Sequence, residues 1–143
     1  MDHEAHVTRI VALFESLKRE DVARIAEVYT PDARFKDPFN EVQGTQAIAR
    51  IFEHMFVALN EPRFVIRQRI VQGDQCFLTW DFLFRMKRFN PDEQCIRGGS
   101  HLVLAEDGRI QLHRDYWDAA EELYEKLPVL GGLMRWLKKR ANS

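Results

Sequence analysis

The hydrophobic period of the chain changes once, near Pro62, and few folds accommodate that change. Ahead of it the spacing is helical. Val7, Ile10, Val11, Phe14 and Leu17 mark an amphipathic helix over about residues 4–18. Lys18-Arg19-Glu20-Asp21 interrupts it, and Asp21 is placed to cap a second helix carrying Val22, Ile25, Ala26 and Tyr29. Pro31 stops that helix. Arg34 to Pro38 reads as a short extended piece with Phe35 and Asp37 on one side, and Phe39 to Gly44 as a loop. Thr45 then caps a third helix with the stripe Ile48, Ile51, Phe52, Met55, Phe56 and Leu59, and Pro62 closes the helical half.

Beyond Pro62 the residues alternate. Arg63–Val71 is a strand, Gly73-Asp74 a turn and Gln75–Phe89 a long strand. Cys76, Leu78, Trp80, Phe82, Phe84 and Met86 share one of its faces; Phe77, Thr79, Asp81, Leu83, Arg85 and Lys87 share the other. Asn90-Pro91-Asp92 turns the chain into Gln94–Ala105, and Glu106-Asp107-Gly108 turns it into Arg109–Asp118. On this register Cys76 pairs near residue 106 and not with Cys95, so the two cysteines are expected to stay small buried residues without a disulfide. Three helices followed by an antiparallel meander make an α+β arrangement, in which a curved sheet packs on helices and encloses a cavity. Both faces of the long strand are largely apolar near its centre, so one is expected to meet the helices and the other a further partner, a second subunit being one candidate.

Composition narrows the function classes. The 143 residues are one domain by length and carry a formal net charge of −1, which gives no general attraction to nucleic acid. Ten Phe, three Trp and three Tyr are enough to line a cavity as well as fill a core. Two cysteines are neither a metal motif nor a disulfide framework. The start, Met1-Asp2-His3-Glu4, lacks the basic and apolar regions of a signal peptide, and no apolar run has the length of a membrane span, so a cytoplasmic protein is expected. There is no Gly-rich phosphate loop and no nucleophile elbow, and no cofactor is expected.

His113-Arg114-Asp115-Tyr116-Trp117-Asp118 is the stretch richest in chemistry. It lies at a strand end, where a sheet hands over to a helical pattern starting near Ala119. His113, Asp115 and Trp117 share one face by alternation.

Several short motifs, in this order, resemble the nuclear transport factor 2-like superfamily: Tyr29-Thr30-Pro31-Asp32-Ala33, then Phe35-Lys36-Asp37-Pro38, then Gly44-Thr45-Gln46-Ala47-Ile48 opening the third helix. The closing His-Arg-Asp-Tyr-Trp-Asp is similar to its SnoaL-like polyketide cyclase branch, related to ketosteroid isomerases and limonene epoxide hydrolases. The resemblance spans roughly residues 5–120. It implies a cone, in which a curved antiparallel sheet packed on three N-terminal helices surrounds a pocket, and a homodimer through the outer sheet face. Asp37-Pro38 resembles the base of ketosteroid isomerases, but their oxyanion donors fall at Leu13 and Ser100, and leucine cannot donate. One aspartate of the epoxide hydrolases' Asp-Arg-Asp set falls at Asp115, whereas its other members fall at Asp81 and Leu83. Asp115 matches the acid/base aspartate of the cyclases, with His113 two residues before it.

Each candidate carries two readings. Asp115 is either an acid/base group in an apolar cone, which disfavours a charged carboxylate, or a structural aspartate bound to backbone or to Arg114. His113 and Asp37 are either its helpers or a structural strand-end histidine and a turn residue. Tyr29, Phe35, Phe52, Phe56, Ser100, Leu102 and Trp117 are expected around the pocket. Thr79, Asp81 and Leu83 are assigned there too, on the family's lining positions, with Arg85 as a partner for Asp81. His101 points to the other face. His113, Asp115, Asp37 and Asp81 do not make a specific metal signal, and no metal is expected.

The chain divides into a cone domain, residues 1–127, and a tail, residues 128–143. In the tail, Leu130, Leu133, Met134 and Leu137 form a helical stripe beside Trp136, Arg135, Lys138, Lys139 and Arg140. Such a helix either packs on the cone or a partner, or lies on an anionic membrane surface. The expected ligand is small, mostly apolar and oxygen-bearing. Three functions are open: cofactor-independent isomerisation, cyclisation or dehydration by acid/base chemistry; non-catalytic binding of a ligand or protein partner; or a membrane-associated accessory role through the tail.

Overall fold

A computed structural model describes residues 3–87 and 92–122, together with Trp136 and Lys139. Helix α1 (Glu4–Glu15) buries Val7, Ile10, Val11 and Phe14, as its spacing requires. A 3₁₀ helix (Arg19–Glu27) follows in place of an α-helix and buries Val22 and Ile25. Asp21 lies inside that helix, and its carboxylate accepts the Lys18 backbone N–H at 2.9 Å. Strand β1 (Tyr29–Lys36) comes next. β2 (Glu41–Gln43), α2 (Thr45–Ala58), β3 (Leu59–Gln72), β4 (Gln75–Met86), β5 (Glu93–Leu104), β6 (Ile110–Tyr116) and a single turn α3 (Ala119–Glu122) complete the described chain. The tail stripe, apart from Trp136 and Lys139, and the Asn90-Pro91 part of the β4–β5 turn lie outside the described residues.

Both prolines that read as helix stops stand in strands. Tyr29 is a strand residue, not the end of a helical stripe, because Pro31 pushes the residue before it toward extended backbone. The pairing of β1 with β6 jumps from Tyr29↔Ile110 to Arg34↔Leu112, so the missing N–H of Pro31 costs no ladder bond. Pro62 repeats the device in β3, an edge strand, where the register skips between Asn60 and Arg63. Helix α2 ends four residues earlier than Pro62, at Ala58. Thr45 is the first residue of that helix rather than its cap. Gly44 precedes it at φ 101°, and Thr45 Oγ1 donates to the Thr30 carbonyl at 2.9 Å, tying α2 to β1.

The six strands form one curved, unclosed sheet in the order β2-β1-β6-β5-β4-β3. It is antiparallel except for β1 beside β6, a parallel pair. α1 and α2 pack with Phe14, Ile48 and Phe52 in the core that also holds Leu78, Leu102 and Ile110. The β4–β5 register places Cys76 opposite Leu102 and Leu83 opposite Cys95, four residues from the expected pairing, so the two cysteines do not meet to form a disulfide. Among the described residues no helix is long and apolar enough to cross a membrane.

Candidate functional site

Register decides which side chains meet. Reading across the inner face, Leu78 pairs with Ser100 and Ser100 with Asp115. The next row pairs Cys76 with Leu102, Leu102 with His113, and His113 with Phe35. Ser100, His113 and Asp115 therefore come together from two strands, under α1 and α2.

These groups line a cavity of about 330 Å³. Its walls are Phe14 of α1, Phe35 of β1, Ile51, Phe52 and Met55 of α2, and Phe64, Trp80 and Phe82 of the sheet. Asp37, Phe39, Asn40, His54 and Trp117 also border it. Phe39, 54% exposed, meets Trp117 edge to face at 5.6 Å between ring centres, which makes an aromatic rim.

One hydrogen-bonded chain crosses the polar end. Trp80 Nε1 donates to Ser100 Oγ at 2.9 Å, and Ser100 Oγ donates to Asp115 Oδ1 at 2.5 Å. His113 Nε2 lies 2.7 Å from the same Oδ1, and His113 Nδ1 lies 2.7 Å from the Tyr29 hydroxyl. The imidazole is held between Phe35, 4.7 Å away between ring centres, and the edge-on Phe14 at 6.0 Å. Burial, and secondarily the negative charge of Asp115, raises the Tyr29 phenol well above its ordinary range. Every buried side-chain N or O among the described residues has a partner. Asp115 Oδ2 takes none of these bonds, and the Asp115 side chain is 17% exposed. Asp115 is paired with neither Arg114 nor Arg85.

The remaining expected site residues are placed as follows. Phe35, Phe52, Ser100, Trp117, His113, Asp115 and Asp37 border the cavity. Tyr29 and Leu102 are fully buried behind it, and Phe56 packs on the core without bordering it. Asp37 is spent on its own loop: Oδ1 accepts the backbone N–H of Phe39 at 2.8 Å and of Asn40 at 2.6 Å, with the Asn40 amide at 3.2 Å. These bonds staple the turn after β1. Thr79, Asp81 and Leu83 do not border the cavity. They alternate with Leu78, Trp80 and Phe82, which do, and so face outward. Asp81 pairs there with Arg67 at 2.5 Å, and Arg85 pairs with Glu61 instead. Among the described residues no three His, Cys, Asp or Glu side chains are grouped to hold a metal. His101 faces outward and bonds Gln75.

Trp80 is a cavity residue that the family's lining positions miss, since they assign the pocket to the Thr79, Asp81 and Leu83 face. The hairpin pairs even positions with even positions, so Ser100 and Leu102 share a face with Leu78 and Trp80, not with Thr79 and Asp81. That parity was available from the turn alone.

The sequence matches the SnoaL-like domain family over residues 10–113. The chain belongs to the SnoaL-like domain family. Solved structures agree on the fold. An LEH-like epoxide hydrolase from M. tuberculosis superposes with a TM-score of 0.69 at 18% identity, covering 94% of this chain and 96% of that one. A SnoaL-like polyketide cyclase, so described provisionally, from Shewanella putrefaciens CN-32 gives 0.68 at 17% identity, covering 86% and 97%. A protein with a ketosteroid isomerase-like fold from Catenulispora acidiphila DSM 44928, in complex with trimethylamine, gives 0.70 at 14% identity, covering 84% and 90%. No curated protein matches the chain in sequence.

Proposed function

We propose that this SnoaL-like protein is a cofactor-independent acid/base enzyme acting on a small, mostly apolar molecule with a carbonyl or enol oxygen. The observation that carries the reading is the Asp115 carboxylate: one oxygen is held by Ser100 and His113, the other takes no bond among the described residues, and aromatic walls surround them. Apolar walls bind the body of such a substrate by burying its surface. A carboxylate fixed through one oxygen keeps its orientation while the other takes a proton from carbon. Returning that proton elsewhere gives isomerisation; returning it to a leaving hydroxyl gives dehydration; attack of the enolate on a second carbonyl of the same molecule, with the proton passed to the new alkoxide, gives cyclisation. Asp37, tied into its turn, shapes the rim in this reading and does not move protons. The family match and the cyclase and epoxide hydrolase neighbours support small-molecule chemistry in this cavity without naming the substrate.

The test is hydrogen exchange next to a carbonyl. With β-tetralone and related small ketones in heavy water, the wild-type protein is expected to accelerate deuterium uptake at the α-carbon, followed by proton NMR. Ketones that bind in the cavity yet exchange at the buffer rate would leave it a binding protein. We further place a second copy of the chain on the outer sheet face, where Ile70, 63% exposed, lies opposite Phe77.

A further inference from the structure

The protons around Asp115 can be counted from both ends of its network. At one end, the Trp80 indole donates and cannot accept, so Ser100 Oγ is its acceptor. The hydroxyl's single proton is then directed at Asp115 Oδ1. At the other end, the Tyr29 residue is fully buried, and its hydroxyl has one hydrogen-bond partner among the described residues, His113 Nδ1. Were Nδ1 the donor, the phenol proton would be stranded in an apolar core, and a stranded buried donor is costly. The phenol also keeps its proton, since burial holds its ionisation far above neutrality. Nδ1 is therefore an acceptor, and the imidazole proton sits on Nε2, facing Oδ1 at 2.7 Å.

We infer that Tyr29 is a positioning residue: by donating to Nδ1 it holds His113 as the neutral Nε2–H tautomer, so that two donors converge on Asp115 Oδ1 and only Oδ2 is open to a proton. Oδ1 then accepts from Ser100 and His113 at once, whereas Oδ2 accepts from nothing in the described protein. The imidazole contributes orientation without charge. Its flanking rings, Phe14 and Phe35, are apolar and offer Nδ1 no second donor. Any role of Tyr29 in turnover rests on Asp115 being the base; the tautomer does not.

Imidazole ¹⁵N spectra of the labelled full chain test the assignment. The wild type is expected to show one of its five histidines with a pyridine-type Nδ1 and a pyrrole-type Nε2, identified as His113 by its loss in His113→Gln. Tyr29→Phe is expected to convert that signal to a tautomer mixture or an imidazolium, leaving the other histidines unchanged. A protonated Nδ1 in the wild type, or an unaltered His113 pattern in Tyr29→Phe, would overturn it. Should Tyr29→Phe not fold, the wild-type spectrum alone decides the tautomer. Where ketone exchange is detected, Tyr29→Phe should lower its turnover by roughly tenfold with KM unchanged. A wild type that exchanges no ketone but shows this tautomer, lost in Tyr29→Phe, would remove the proposed reaction and leave the positioning role standing.

Discussion

Ser100 shows how much one small hydroxyl can hold. It accepts from Trp80 and donates to Asp115, and it is 5% exposed. Ser100→Ala strands the indole N–H and removes a donor from the carboxylate, so urea unfolding should show a loss of about 1–3 kcal/mol. Adding Trp80→Phe removes the stranded donor, and the double variant should lose less than the sum of the two single ones. A near-additive pair would mean that the hydrogen bond contributes little. Cys76 offers a second test at this scale. Burial, helped by Glu4 and opposed by Arg69, raises its thiol from 9.0 to about 11. The unfolded thiol therefore ionises first as pH rises. The contribution is fully present below pH 9.0 and is lost as pH climbs toward about 11. Cys76→Ala should flatten that alkaline decline in a pH series of unfolding midpoints, and an unchanged decline would assign it to other groups.

Elements position these residues through a few backbone devices. Gly98 pairs with Trp80, and a Cβ there would lie 2.6 Å from the indole and 3.0 Å from the Trp117 Cβ. Gly98→Ala should push the indole off Ser100 and cost about 1–3 kcal/mol, with altered tryptophan fluorescence. Unchanged fluorescence and stability would show that the indole has room to move. The loop after β1 is held by Asp37. Asp37→Ala should weaken ligand binding at the rim while leaving ketone turnover at saturation within about threefold, since its carboxylate is already engaged by backbone. Loss of turnover as complete as that in Asp115→Asn would restore Asp37 as a second base. Alternation located the strands and separated their faces, but the family's lining positions placed the pocket on the face of Thr79, Asp81 and Leu83, although Asp81 and Arg85 already marked it as the wetter one. Pro31 and Pro62 read as helix stops because bulges, which let a strand carry proline, have no local signature strong enough to see.

At the scale of the whole molecule, the helix-then-sheet order was legible because period depends only on local spacing. The α+β class, the antiparallel meander of β3 to β6 and the convergence of His113 and Asp115 all follow from it. The parallel pairing of β1 with β6 and the partnership of Tyr29 with His113, 84 positions apart, depend on contacts no local pattern reports. If a second copy covers the outer sheet face, Ile70→Lys should convert a sedimenting dimer to a monomer; a wild type that sediments as a monomer would leave that face unpartnered. The proposed reaction rests on one carboxylate in one cavity. The most direct measurement is α-deuterium exchange of a bound ketone by Asp115→Asn, alongside its affinity read from quenching of Trp80 and Trp117. Affinity should stay within about threefold while exchange falls roughly a hundred- to ten-thousand-fold. Exchange that persists at the wild-type rate in a variant that still binds the ketone would show that Asp115 is not the base.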